Sequence, residues 1–583
     1  MGIKKIARAK SATARLPSNA SNATVNRAGG VAFEIEDQSS KLITMTGGAF
    51  FAEPKFYDAE QCIPKRIANG ALSKLAERLN IVEGRLKGFV SCEELNETAR
   101  EVVSTAIAVA SGQNPEDILA IANWLRNEMN IRLTSQVLLV IASHMEGTKT
   151  LVRKYTTSIV RRPDEIKICL LVHRFFFGLA IPPQGLRKGL SDALSKFGER
   201  GLMKYDDAGF PTWKDVLCWL PRKTGWPLSN EVSVYFKTGK IIDPAKTPII
   251  ASRKELSGQK TFDDKSKELA KKSLVNWEVL LSQFGQDKKA VWEFLIENNL
   301  LGYMALLRNL RNILEAKVSR DVVQKVSMKL SSKDEVMKSK QLPFRFLSSL
   351  RAMEGMNGGA DVSDMGELIA AVELASNEAC ANIPVLPGTT VIFADMSNSM
   401  NSSVSAKSTV SCKDAAAVLC GIVAKVSEHP YVVAFGSDVA PVKAAKTDTV
   451  LGIAKKAMAA DTKGCNTNGY KCVAWLIKNQ LVPDRVIFLS DMQMWNDGTS
   501  SDQGNNLADV WGSYLKSAVG AKNTWVHCVH MNGYGDNAIQ GDRVNLVAGF
   551  SEKVFTLIAQ TEGLGGAQAL PTVDQIRTKW TLK

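Results

Sequence analysis

Two patterns of apolar and polar positions divide the chain. From about residue 63 to residue 376, apolar side chains recur at spacings of three and four, the repeat of one helix face. The pattern predicts helices over Ala71–Leu79, Glu94–Ser111, Pro115–Met129, Leu133–His144, Glu165–Phe177, Leu186–Phe197, Thr212–Leu220, Leu274–Phe284, Lys288–Leu300, Gly302–Ala316, Ser319–Met328 and Met365–Cys380. Pro115 follows Asn114 as a first helical residue, and Pro163 with Asp164 opens another helix in the same way. Helices of this length with mostly short joints predict antiparallel pairs stacked into an α-solenoid with a concave face. No strict period marks a tetratricopeptide or ankyrin array. Ser229–Asp264 breaks the pattern with Gly, Pro, Lys and few apolar positions, and reads as a long loop or insertion.

Beyond the joint Ile383–Gly388 (IPVLPG) the pattern changes. Short buried runs at 390–395, 431–437, 485–490 and 523–531 read as strands, with helical segments at 412–427, 448–459, 468–480 and 506–518 and a last segment at 553–558. This alternation predicts a doubly wound α/β sheet. Near the other end, Val31–Glu36 and Lys41–Thr46 alternate apolar and polar and read as two short strands around a turn. Residues 1–30 are basic and free of acids, so the start of the chain reads as a flexible arm, with a transit peptide as the alternative. The division read from the sequence is an arm at 1–25, a helical domain at 26–382 and an α/β domain at 383–583.

Charge sharpens this division. The chain carries a formal net charge of +14, yet residues 385–583 hold 18 basic and 16 acidic side chains, so nearly all the excess precedes them. A basic helical body points to a polyanionic partner; a merely solvated basic surface is the plain alternative. The 10 cysteines form no C-x-x-C pair, and Cys169 and Cys528 sit inside apolar runs, as free thiols do in a reducing compartment. No apolar run reaches the roughly 18–20 residues that span a bilayer. Met1–Lys10 has four basic residues and no apolar core behind them, unlike a secretory signal. The expectation is a cytoplasmic protein without a membrane partner.

The densest candidate chemistry lies at Val391–Met400, VIFADMSNSM, where a buried strand runs into Asp395, Ser397 and Ser399. Strand ends of an open α/β sheet border the crevice where ligands bind. Carboxylate and hydroxyl oxygens suit a hard divalent cation such as Mg²⁺. Alone, D-x-S-x-S is weak, since Asp and Ser are ordinary turn residues. Two later stretches strengthen it: the loop Gly464–Gly469, which carries Thr467, and RVIFLSD at Arg485–Asp491, a second buried strand ending on Asp491. This five-residue set resembles the metal-ion-dependent adhesion site of von Willebrand factor A domains. The resemblance implies Mg²⁺ held by Ser397, Ser399 and Thr467, with Asp395 and Asp491 as direct ligands or water holders. It also implies one coordination position left open for an oxygen ligand from a partner.

Other stretches narrow the reading. NRAGGVAFEIED at Asn26–Asp37 and TGGAF at Thr46–Phe50 resemble the opening of the TROVE domain, the helical-repeat part of Ro autoantigens and their bacterial relatives. GLRKGL around Arg187 and Lys188, Lys204-Tyr205, and Trp213–Leu217 (WKDVL) look like that family's basic helices. MALLRNLRNI at Met304–Ile313 and QLPFRFLSSLR at Gln341–Arg351 look like its later ones. Cys218-Trp219-Leu220-Pro221 departs from the family where a His is frequent. The resemblance implies a ring of HEAT-like helical repeats followed by an A domain, monomeric, in a ribonucleoprotein of RNA quality control or processing. Small structured noncoding (Y-like) RNAs would bind outside the ring, single-stranded 3′ ends of misfolded RNAs would thread it, and an exoribonuclease is a further partner.

The RNA-binding candidates are Arg153, Lys154, Arg161, Arg162, Arg187, Lys188, Lys204, Lys214, Arg222 and Lys223. Cationic side chains on a helical wall neutralise phosphates, although each is equally an ordinary solvated helix end. Trp213, Trp219 and Trp226 offer stacking surface, with core packing as the rival. Arg308 and Arg311, three apart on one face, suit ion pairs as well as phosphates. No catalytic constellation stands out, and His527 and His530, three apart on a strand, face opposite ways. The main expectation is a non-catalytic RNA-binding scaffold. The alternatives are a metal-dependent nuclease and a protein-interaction scaffold that grips an acidic partner through the metal site.

Overall fold

The computed structural model describes residues 23–25, 31–33, 35–47, 97–178, 181–206, 211–220, 230–341, 343–356, 361–403, 410–494, 506–531, 538–548, 554–564 and 572–582. The chain divides into two compact units. One comprises Met1–Asp37, Leu342–Leu347 and Ser376–Leu570; the other comprises Gln38–Gln341, Ser348–Ala375 and Pro571–Lys583. Residues 571–583, read from sequence as the end of the α/β domain, thus belong with the helical unit.

The helical unit is built by sequential packing. Helix Asp117–Asn127 packs on Leu133–His144, which packs on Pro163–Phe177, while Val152–Ile159 packs on Gln184–Leu194. Leu133–His144 is apolar nearly all round, and Thr134–Ser143 are all buried, so it is a core helix rather than an amphipathic one. Pro163–Phe177 begins on a proline, receives Glu165 Oε2 as a cap for the Arg161 and Arg162 N–H groups (2.7 and 3.2 Å), and stops at Gly178 with φ of 63°. Glu165 also meets Arg126 in a fully desolvated pair, Nη2–Oε1 2.8 Å, with side chains 0% and 5% exposed. Such a pair fixes register, and losing one partner strands a buried charge.

The C-terminal helix Val573–Trp580 closes the helical unit against its early helices. Arg577 forks onto Asp117 (Nε–Oδ1 2.6 Å, Nη2–Oδ2 2.7 Å), and Asp117 Oδ2 also accepts from Ser39 Oγ at 3.0 Å. Asn123 Nδ2 donates to Trp580 O, and Leu582 N donates to Tyr155 Oη. Ile576 is 1% exposed and supplies the apolar contact beneath these bonds.

Three sequence expectations are corrected by the structure. Lys41–Thr46 is not a strand but lies within the helix Gln38–Gly47. Its buried set, Leu42, Ile43, Met45 and Thr46, has helical spacing that outweighs the short alternation. Ser229–Asp264 is not an irregular loop, because helices form at Asn230–Thr238 and Pro248–Ser257. They bury few side chains (Val232, Ser233, Ile250 and Leu256), so their apolar pattern is thin; Pro at the second helix's start and the Ile250 N–H to Glu199 Oε1 bond (2.7 Å) anchor it. Gly302–Ala316 breaks into Tyr303–Arg308 and Leu310–Glu315, because Asn309 (φ −111°, ψ 11°) turns its amide back onto Ala305 O. The expected helix Ala71–Leu79 and residues 1–22 of the arm lie outside the described residues.

The other unit carries a six-stranded sheet and a small hairpin. In the hairpin β1 (Ala23–Val25) pairs antiparallel with β2 (Val31–Phe33). The sheet strands are β3 (Leu386–Asp395), β4 (Ser427–Phe435), β5 (Val439–Val442), β6 (Arg485–Ser490), β7 (Trp525–His530) and β8 (Val544–Ala548), in the order β5-β4-β3-β6-β7-β8. All neighbours are parallel except β4 and β5. Of the last segment read from sequence, 554–558 belong to the helix Val554–Thr561. Residues 390–395 of β3 and all of β6 are buried on both faces, which is why these stretches read as apolar runs. Between them Phe393 and Phe488 stack at 5.2 Å. The chain leaves β3 toward β4 and returns to β6 on its other side, so the carboxyl ends of β3 and β6 form the topological switch point of the sheet.

Candidate functional site

Asp395 ends β3 at that switch point, fully buried, and its two oxygens are held differently. The Ser397 N–H donates to Oδ1 at 2.8 Å and the Ser490 hydroxyl donates to Oδ2 at 2.6 Å. Ser397 and Ser399 place their hydroxyl oxygens 3.1 Å apart. Asp491, one residue past β6, is 2% exposed and accepts from Gln493 N at 3.2 Å. Burial first, and the nearby Asp491 charge second, push the Asp395 carboxyl up to about 7.

Thr467 reaches this region because its loop is tied to both neighbouring strand ends. The Asn398 N–H donates to Cys465 O, the Asn466 N–H to Ser437 Oγ, and the Asn468 N–H to Gly436 O at 3.0 Å. A Cβ at Gly436 would come within 2.6 Å of Gly464 O, so only glycine lets the loop lie this close to the end of β4. Thr467 is 7% exposed, and the adjacent Asn468 Oδ1 is a buried oxygen without a partner. The donor set is all oxygen, two carboxylates and three hydroxyls, with mutual repulsion between the acids. That chemistry fits a hard divalent cation, which replaces the repulsion with attraction. Ser490 does not stand out in the sequence; its only signal is its place before the strand-ending Asp491.

The basic candidates separate into two groups. Arg153 forks onto Asp192 (2.7 and 3.3 Å), Arg162 forks onto Asp164 (3.0 and 2.9 Å) and reaches Tyr205 Oη at 2.7 Å, and Lys154 donates to Leu582 O. Asp192 raises the Arg153 pKa, chiefly through that hydrogen bond. Arg161 contacts Asn127 Oδ1 at 3.4 Å. By contrast Lys188, Lys204 and Lys214 are exposed and have no carboxylate partner among the described residues; Lys204 only lies over the Tyr205 ring at 5.5 Å. Arg187 spends its Nε on Trp219 O at 2.9 Å. Arg222, Lys223 and Trp226 lie outside the described residues. Trp213 is a core residue, 1% exposed, with its indole N–H on Leu202 O. Arg311 pairs with Glu315 one turn on, at 2.7 Å.

Sequence reasoning passes over one feature beside this group. A cleft of about 390 Å³ is lined by Leu170, His173, Arg174, Ile181, Arg187 and Trp219, among others. It is invisible in the sequence because its walls come from three separate helices whose packing no local pattern records. Elsewhere, no cysteine of the eight described forms a disulfide, and no helix among the described residues is long and apolar enough to cross a membrane.

Comparison with known proteins matches two families in tandem. The TROVE domain matches residues 244–359, and the Ro60 vWA domain matches residues 390–505, a span that contains all five oxygen-site residues. The basic candidates between Arg153 and Lys223 lie before the matched TROVE segment. Among curated proteins, Telomerase protein component 1 of Rattus norvegicus is 24% identical over 328 residues, covering 46% of this chain and 12% of its own length. The Mus musculus protein of the same name is 25% identical over 326 residues, with the same coverage. This chain therefore spans about an eighth of the length of those relatives. Among solved structures, the Deinococcus radiodurans RO (RSR) protein matches with a TM-score of 0.62 at 16% identity, over 84% of this chain and 99% of its own, a likeness of fold.

Proposed function

We propose that this chain, whose residues 244–359 match the TROVE domain and 390–505 the Ro60 vWA domain, is an RNA-binding protein of the Ro type and a scaffold for small structured noncoding RNAs and for single-stranded 3′ ends. On this reading it serves RNA quality control or processing in the cytoplasm. The observation that carries the reading is the set of exposed lysines Lys188, Lys204 and Lys214, uncommitted to carboxylates, on the unit that holds most of the +14 charge. Lysines without internal partners are what phosphates neutralise, and each neutralised phosphate releases counterions. Phosphate contacts set affinity and position without reading sequence, which suits a scaffold that takes many RNAs.

Mg²⁺ is the proposed cofactor, held by Asp395, Ser397, Ser399, Thr467 and Asp491. A bound ion would supply a Lewis-acidic point with a position open to an oxygen ligand. The residues' own part is to present oxygens at the strand ends, with Ser490 and the Ser397 N–H orienting Asp395. The role is one of binding rather than phosphoryl transfer, which more often gathers several carboxylates around two ions. The test is electrophoretic binding of a stem-loop RNA with and without a single-stranded 3′ tail, across salt concentrations and with cleavage monitored. Tight, tail-dependent and salt-sensitive binding without cleavage is expected. Salt-insensitive binding, or turnover that depends on Asp491, would overturn the scaffold reading.

A further inference from the structure

We propose that the cleft bounded by helices Pro163–Phe177, Gln184–Leu194 and Trp213–Trp219 holds one unstacked nucleotide of single-stranded RNA, with its base against Trp219 and its phosphate at Arg187. The inference rests on the RNA-binding reading above and adds a subsite to it.

The cleft is about 390 Å³, within the roughly 300–1,000 Å³ of small-ligand sites. Its wall combines an indole with two guanidiniums, from Arg174 and Arg187. An aromatic surface beside a cation is what an unpaired base with its phosphate needs, since every base has a face to stack and every nucleotide a negative charge. Arg187 is pre-positioned: its Nε donates to Trp219 O at 2.9 Å, which joins two of the walls and leaves its terminal N–H groups as further donors. Lys188, the next residue, is exposed and suits a neighbouring phosphate. Ile181, 75% exposed at the rim, extends the apolar floor outward.

A second observation points the same way. His173 lines the cleft at 2% exposure, and its Nε2 has no hydrogen-bond partner. A buried polar nitrogen without a partner is costly, so a ligand edge that supplies the missing bond is favoured there. His173 packs against His144 and Phe177, with ring centroids 5.1 and 5.2 Å away, which fixes its ring plane. The ring is uncharged at neutral pH because burial lowers its pKa to about 3. A neutral imidazole recognises a base edge, whereas the arginines recognise the phosphate. A paired base presents neither a free face nor a free Watson–Crick edge, so the occupant is single-stranded.

The test uses the full chain and a short oligouridylate carrying one 4-thiouridine. Photo-cross-linking is expected at Cys218 or Trp219. Trp219→Ala should weaken oligomer binding about tenfold, as loss of one base–aromatic stack does. The salt slope should stay unchanged, and Trp219→Phe should restore most of the affinity. An abasic position at the cross-linking nucleotide should weaken the wild type equally and the Trp219→Ala variant no further. Wild-type affinity in both Trp219→Ala and His173→Phe, or a cross-link outside the cleft, would overturn the subsite and leave RNA binding standing. A wild-type protein that binds no RNA would remove both. Competition by UMP or AMP at the oligomer's own concentration would assign the cleft to free nucleotides and overturn the RNA source.

Discussion

The oxygen site of the sheet unit and the basic surface of the helical unit are built on opposite principles. At the first, Asp395, Ser397, Thr467 and Asp491 are buried and Ser399 is exposed, and neighbours orient the site: Asp395 by Ser397 and Ser490, the Thr467 loop by Gly436 and Ser437. At the second, the groups are long, exposed side chains, and several candidates are already engaged inside the protein, Arg153 with Asp192 and Arg162 with Asp164. A buried site can be weakened by a single atom, whereas an exposed one degrades gradually as charges are removed. Four experiments can break or sharpen that contrast.

The largest effect is expected at the buried site. Asp395→Ala should abolish Mg²⁺ binding by calorimetry. Metal-free stability should not fall, because the variant removes a desolvated carboxylate that repels Asp491. Retained Mg²⁺ affinity would remove the assignment. At the exposed surface, Lys188→Glu with Lys204→Glu and Lys214→Glu should weaken RNA binding roughly a hundredfold. The log–log salt slope should become shallower by about 0.7–0.9 for each phosphate that is no longer neutralised. Melting temperature should stay nearly constant. Reversing Arg153 and Arg162 instead should lower stability more than affinity; the opposite ranking would show that the internal ion pairs open for RNA.

Acid should separate the units next. His173 is buried and His144 half-buried, with pKa values lowered to about 3 and about 4 from 6.5, desolvation being the main cause for both. The unfolded chain therefore takes up their protons first, and their contribution is complete above pH 6.5 and is lost as pH falls toward 4 and then 3. The slope is about 1.4 kcal/mol per pH unit for each histidine. Thermal melts from about pH 7 down to about pH 4 should show the helical transition falling, and His144→Phe should flatten that fall. An unchanged slope in that variant would place the acid sensitivity elsewhere. The smallest effect is at the C-terminal helix. Arg577→Ala takes both fork bonds from Asp117, whose side chain is 5% exposed, and leaves it the Ser39 hydroxyl. The helical unit should lose about 1–3 kcal/mol while the sheet transition stays put. A shift of the sheet transition instead would contradict the packing of residues 571–583 on the helical unit.

The same contrast explains what the sequence discloses. β6 is legible to the residue, Arg485–Ser490, because a doubly buried strand must be a continuous apolar run. Leu133–His144 is equally legible, for the same reason on a helix. β5, the edge strand VAPV, and β8, with Asn545 inside it, carry too little apolar signal to stand out. Asp395 and Asp491 are readable because they sit at strand ends that hydrophobicity marks. Which arginines of the helical surface are engaged is not readable, since Asp192 lies 39 residues from Arg153, and pairing at that separation leaves no local trace. The cleft at Trp219 stays hidden for the same reason.

The fork between Arg577 and Asp117 joins residues 460 positions apart, and this separation has a meaning in time. At about 5–20 residues per second, a ribosome adds that length in on the order of half a minute to a minute and a half. Through that interval helix Asp117–Asn127 has been made while the segment that covers it has not. Asp117 then faces water without Arg577, and the apolar seat of Ile576 is open. The helical unit is thus begun before the six-stranded sheet and finished after it. Chaperone capture of the nascent chain should accordingly persist until residues 573–580 emerge, a few seconds after the sheet has its last strand.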